Sequence, residues 1–436
     1  MRLRFIFFAL YGATAACSSS DFSLGGETDA AASDANGIDT SVADDSGAPD
    51  SLPDARLDAP PPDAAPGCVP VDHTTLTVFV DAAAPVGGTG SSACPFRTLA
   101  QAAGASLGPG INRIVSIRTG TYVETATIKV RSRETYKSDG SGLVKVSGNG
   151  AAICASGEAC TFQLDAGATL DGLLVEGGTA ANGIVASGAS GTPPLIKNTA
   201  VKGAPKDGIV VLGVGASLGP NTHADSNGWS GVMIRNGKVA VNGAGNTFDG
   251  NKGGFYIGST YVAGSGIHVR SGTGLFVDGG ASANNNSTGV WFDAGGSSGT
   301  QTISQLSAMG NRGSGVFVSK GWQVVFRKSY LNKNGSYGLM VSYDTTTSVD
   351  LGTAGAVGGN TFGTAASRNS KAGIFFCRSK AGTQAAEGDT WSACPPTQAP
   401  VLNCDTAPVS YVDVAYSPEV VGDGNPLVVP TACGSS

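Results

Sequence analysis

Along most of the chain, apolar residues alternate with small or polar ones in short runs, and a glycine introduces each run. SNGWSGVMI, GNKGGFYI, NNNSTGVWF, GNRGSGVFV, KNGSYGLMV and RNSKAGIFF share one pattern: asparagine, a few small residues, glycine, then apolar-x-apolar. ANGIVA and KDGIVV are looser copies upstream. The glycines fall at Gly183, Gly208, Gly231, Gly254, Gly289, Gly315, Gly338 and Gly373, with separations of 25, 23, 23, 35, 26, 23 and 35 residues. Alternation with period two predicts strands, because a helix repeats its apolar face about every 3.6 residues.

A period near 23 residues made of strands and glycine turns predicts a solenoid, each coil burying its hydrophobic side against the next. Leucine-rich repeats share that length but need a leucine and asparagine frame that is absent here. What remains is parallel strands stacked about 4.8 Å apart, which is a parallel β-helix. In each strand the first and third residues after the glycine form the core: Val232/Ile234, Phe255/Ile257, Val290/Phe292, Val316/Val318, Leu339/Val341 and Ile374/Phe376. The second residue then faces outward, giving a column of Val185, Val210, Met233, Tyr256, Trp291, Phe317, Met340 and Phe375. Asn227, Asn285, Asn311, Asn334 and Asn369 sit four residues before their glycines, with Asn251 one place off. Stacked at a turn, their amides are expected to hydrogen-bond up and down a ladder.

From roughly Ala151 to Cys377 the repeats resemble those of the right-handed, pectate-lyase-like β-helix proteins. Upstream, TVFVDAAAPVGGTGSSACPFRTLAQAAGAS followed by RIVSIRTGTYVETATIKV is similar to the N-terminal cap of that superfamily, with a short helix expected at about Phe96 to Ala105. The resemblance implies an all-β, right-handed, single-stranded parallel β-helix, with Arg97, Tyr122 and Glu124 in structural roles. The expected divisions are a signal peptide at 1–16, a disordered tether at 17–67, the cap and first coils at 68–150, the repeats at 151–377 and a cysteine-containing C-terminal segment at 378–436.

An outward apolar and aromatic column implies contact with something. Tyr256, Trp291, Phe317 and Phe375 are the candidate binding residues, for a polysaccharide whose sugar faces stack on the rings or for another surface component. Cover by a loop or by the C-terminal segment is the competing expectation, and self-association along that face a third. Polysaccharide lyases and glycosidases on this fold concentrate charge around the scissile bond. Here Asp207, Asp225, Asp249, Asp278, Asp293, Asp344 and Asp350 share no single register. The weak catalytic candidates are Arg235, His268, Arg270 and Asp225. No metal site or cofactor motif is read.

The chain opens with MRLRFIFFALYGATAAC, the layout of a secretory signal. Thr14-Ala15-Ala16-Cys17 resembles a bacterial lipobox, which implies lipidation of Cys17, and Ser18 favours the outer membrane. From Ser18 to Gly67 the chain carries ten aspartates, one glutamate and only Arg56 in opposition, a composition that cannot offset the entropy of ordering. Removing signal and tether leaves 27 − 3 = 24 basic and 33 − 11 = 22 acidic residues, so the net charge of −6 belongs to the tether. A near-neutral body gives no electrostatic case for nucleic acid. Eight cysteines remain after Cys17, and an even number behind an export signal reads as disulfides. Cys154 with Cys160 is the one expected pair. The preferred reading is a non-catalytic, lipid-anchored or extracellular bacterial β-helix that binds polysaccharide or another surface component. The alternatives are a lyase or glycoside hydrolase on an acidic polysaccharide, and a purely structural or adhesive protein.

Overall fold

The computed structural model describes residues 68, 76–105, 111–149, 153–257, 260–270, 272–297, 299–364, 366–377, 383–404, 406–417 and 427–429, with backbone alone at 254–263, 383 and 427–429. Cys17 lies outside the described residues. Among them, three long parallel sheets hold eleven, eight and twelve strands. The chain visits the sheets in turn. Thr169–Asp171 lies in the eleven-stranded sheet, Leu174–Gly177 in the eight-stranded and Asn182–Ala186 in the twelve-stranded, after which Leu195–Lys197 rejoins the first. Because each turn carries the chain to a different sheet, a run finds its partner in the equivalent run one coil away.

Register is kept from coil to coil in the twelve-stranded sheet, where Val232, Ile267, Val290, Val316, Leu339 and Ile374 pair in succession. They and their companions two residues on are fully buried. One expectation is corrected here. Phe255 and Ile257 are not in this column, because Gly254–Ile257 pairs antiparallel with Thr260–Ala263 in a hairpin inserted at the corner. Ile267 and Val269 take the core places, and the corner glycine is Gly266.

The asparagine ladder exists and explains the glycines. Asn334 Nδ2 donates to Asn369 Oδ1 at 3.0 Å and to Ala308 O at 3.0 Å, while its Oδ1 accepts from both the backbone N–H and the side-chain amide of Asn311. Asn227, Asn251 and Asn286 continue the ladder upstream. Its member in the middle is Asn286; the expected Asn285 instead adopts a left-handed turn with φ 56°. A Cβ on Gly315 would lie 2.8 Å from Asn334 Nδ2 and 2.7 Å from Gly338 O, so only glycine lets the ladder and the next coil approach this closely.

The N-terminal end is covered by the helix Leu99–Gly104, shorter than expected, which starts from a capping box of Thr98 and Gln101. Buried Glu124 accepts the N–H groups of Leu99 at 2.7 Å and Ala100 at 3.1 Å. Burial raises its carboxyl above the ordinary value against the pull of those N–H groups. The Tyr122 hydroxyl accepts from Ala82 N and donates to Arg118 O, and burial pushes its pKa up to about 12. Cys68–Cys94 staples this end, Cys154–Cys160 closes a short hairpin and Cys377–Cys404 ties down the C-terminal segment. Cys394 is also disulfide-bonded. Val412–Tyr416 and Gln398–Pro400 from that segment extend the twelve-stranded sheet.

Candidate functional site

The outward column lies on the twelve-stranded sheet, with one member changed. Met233 pairs with His268, and His268 with Trp291, so His268 holds the place expected for Tyr256. Tyr256 belongs to the inserted hairpin, and its side chain lies outside the described residues. The column continues through Phe317, Met340 and Phe375.

Its two ends are covered. Val185, Val210 and Met233 pack under the disulfide-closed hairpin of Cys154 and Cys160. Phe375 is fully buried and packs with Val401, Ala415 and Tyr337 beneath the C-terminal segment. Phe375 is therefore no surface binding residue, because that segment needs an apolar seat. Between these covers, Trp291 and Phe317 remain half-buried. Their rings are stacked, with centroids 4.4 Å apart for His268 and Trp291 and 6.5 Å for Trp291 and Phe317, at interplanar angles of 6° and 13°. In-register stacking turns the ring faces toward one another along the column and leaves the edges outward. Ring faces open to a sugar, as the sequence suggested, are thus replaced by an apolar strip of ring edges.

Polar groups flank the strip. On one side, Asp207, Ser230 and Ser265 precede the corner glycines, and Asp207 Oδ1 accepts from Ser230 N at 3.0 Å. On the other, Arg235, Arg270, Asp293 and Ser319 follow the strands. Arg235 is held by Ser156 O at 3.1 Å, Glu158 at 3.6 Å and Asp207 at 3.8 Å. Glu158 also accepts from Lys206 and, at 3.0 Å, from Asn182. Burial alone would raise the Glu158 carboxyl, but Lys206, Asn182 and Arg235 hold it below its ordinary value. Burial pushes Asp207 up to about 6 despite Ser230 N–H and Arg235.

His268, 8% exposed, has Nε2 3.7 Å from Asp293 Oδ2. That is an electrostatic neighbour rather than a hydrogen bond. Burial works to raise the Asp293 carboxyl, yet His268, Ala294 N–H and Arg270 bring it below the ordinary range. Six buried polar atoms gather on this face without a hydrogen-bond partner: Asp207 Oδ2, Ser230 Oγ, Ser265 Oγ, both ring nitrogens of His268 and Trp291 Nε1. Each such group costs about 1–3 kcal/mol, and all six atoms are closed to solvent.

The structure thus brings Arg235, His268 and Arg270 to one face, and adds Asp207, Glu158 and Asp293. Asp207 had a legible signal, a carboxylate where the other coils carry Asn182, Ser230, Ser265, Thr288, Ser314, Tyr337 and Ala372. Asp225 is elsewhere, on the eight-stranded sheet. There it accepts from Thr247 Oγ1 at 2.6 Å and from Asp249 N at 2.7 Å in a ladder reaching Ser282 and Asn284. Its oxygens are committed to stacking coils. Two clefts on the other faces had no sequence signal. One of about 690 Å³ is lined by Thr247, Ser282, Ser307, Lys328 and Tyr330. The other, of about 490 Å³, is lined by Lys238, Leu275, Phe276 and Gln301. No group of three or more His, Cys, Asp or Glu among the described residues is arranged to hold a metal ion.

Residues 182–354 match the model of the right handed beta helix region family. The coils form a right-handed parallel β-helix. Among solved structures this right-handed β-helix is similar to the Dettilon tailspike protein (gp208), with 14% identity, 79% of this chain and 69% of that chain covered and a TM-score of 0.41. It is similar to pectate lyase Pel9A, with 17% identity, 65% and 78% covered and a TM-score of 0.36. It is also similar to the A-module of the Azotobacter vinelandii mannuronan C-5 epimerase AlgE6, with 16% identity, 76% and 93% covered and a TM-score of 0.38. No curated protein matches the chain in sequence.

Proposed function

We propose that this right-handed β-helix is held at the bacterial outer membrane by lipid on Cys17, displayed on the Ala/Asp-rich tether, and binds a polysaccharide along the strip of His268, Trp291 and Phe317. The observation that carries this reading is the strip itself. Three stacked rings stand between two covered ends, flanked by polar side chains on both sides. A glycan offers apolar C–H surface that packs on the strip by shape and dispersion, and hydroxyls to the exposed polar side chains at its flank.

Binding of the full chain to a glycan array, followed by titration of the best probe, tests this. Trp291→Ala is expected to weaken binding by about 1–2 kcal/mol, roughly five- to thirtyfold, with the circular dichroism spectrum unchanged. Trp291→Phe is expected to recover part of the loss. Unaltered affinity in the alanine variant overturns the reading.

A second reading, action on the bound glycan, is favoured by one observation: buried Asp207 lies within electrostatic reach of Arg235 and His268. Burial pushes that carboxyl up to about 6, toward the range that acid-base work uses. Chromatography of the probe after long incubation tests it. Products that vanish with Asp207→Asn support action, and intact probe in both proteins leaves binding alone.

A further inference from the structure

We infer that the glycan taken by this strip is uncharged, a chain of neutral sugars rather than of uronates; this rests on the carbohydrate reading above. The argument is one of charge pairing. Selection of a uronate requires a cation not already neutralised, because a carboxylate leaving water must regain a charge-assisted hydrogen bond. Of the three residues that the sequence offers for an acidic sugar, Arg235 and His268 each have a carboxylate within 4 Å, and exposed Arg270 acts on the carboxylate beside His268 only electrostatically. Arg235 lies 3.6 Å from Glu158 and 3.8 Å from Asp207. Asp293 Oδ2 is 3.7 Å from His268 Nε2, and Arg270 acts electrostatically on the same carboxylate.

The carboxylate a ligand meets first is Asp293, whose side chain is 38% exposed next to the ring edges. It repels an incoming uronate and accepts from a sugar hydroxyl.

The test is titration of the full chain with hexasaccharides of uncharged glucose, mannose and galactose and with hexamers of galacturonate and mannuronate, at 50 and 500 mM salt. A neutral hexamer is expected to bind about tenfold or more tighter than either uronate, with affinity that does not fall at high salt. Asp293→Asn is expected to improve uronate binding roughly tenfold by releasing His268 and Arg270. A uronate bound more tightly than every neutral hexamer, and lost in Trp291→Ala, overturns the neutral assignment while leaving the strip as the site. Failure of all five hexamers to bind overturns both statements.

Discussion

Replacing Asn334 by alanine removes one rung from the ladder on which the coil corners depend. Its side chain makes four hydrogen bonds, two accepted from Asn311 and two donated, to Asn369 Oδ1 and Ala308 O. All lie in the interior, where Asn334 and Asn311 are each about 1% exposed. Truncation strands the Asn311 N–H and amide and loosens Ala308 O and Asn369 Oδ1. At about 1–3 kcal/mol for each group left unsatisfied, and with some relaxation, the loss is roughly 3 kcal/mol. A solenoid need not unfold in one step, so the assay is amide hydrogen exchange resolved along the chain. Coils on either side, from about Ala308 to Phe376, are expected to exchange on the order of a hundredfold faster, while strands before Val211 keep wild-type protection. Asn334→Asp keeps the acceptor and is expected to fall between. Exchange unchanged around Asn311 and Asn334 in the alanine variant would refute the idea that the amide stack holds the corners.

Three further outcomes follow from the geometry. Burial pushes the Asp389 carboxyl up to about 7, so its folded pKa stands above the unfolded value of about 3.9. The contribution of this group to stability is then fully present below pH 4, falls by on the order of 4 kcal/mol as pH rises to 7 and is level above; in urea melts across that range the slopes of wild type and Asp389→Asn should differ by this contribution, and identical slopes count against it. Serine at both Cys154 and Cys160 should cost about 2 kcal/mol locally, read as faster exchange in the hairpin and as new binding of a hydrophobic dye to Val185, Val210 and Met233. Absence of both signals would mean that the ion pairs of Glu158 suffice to hold the hairpin down. Finally, labelled fatty acid is expected to enter the wild-type protein and not Cys17→Ser, and equal labelling removes the lipid anchor.

Strand register was legible because glycine-led runs recur at nearly fixed distance, and only parallel stacking places like residues together. The hairpin was misread because GGFYI and SGIHV satisfy the same local pattern. Spacing does not separate them either, because Gly254 lies 23 residues after Gly231 and Gly266 lies 23 residues before Gly289. Asn286 was missed for a simpler reason, since the run NNN offers three neighbouring amides and the pattern cannot choose among them. Cover of the column was legible only as a competing expectation; which residues it buries, Phe375 and Val210 among them, was not, because the covering segments carry no periodicity that ties them to the column. Asp207 was readable as an oddity, but its approach to Arg235 needed the fold.

The two covers also set a length. Trp291, Phe317 and His268 are what is left when one end of the face belongs to the Cys154–Cys160 hairpin and the other to the C-terminal segment. At about 4.8 Å per strand, three strands give a gap of roughly 14 Å. Because each coil touches only its neighbours, a duplicated coil between the covers would lengthen the gap by one step, and a deleted coil would shorten it, with both covers untouched. Reach along a ligand is therefore a quantity this architecture can change by whole steps, without redesign of any contact already made.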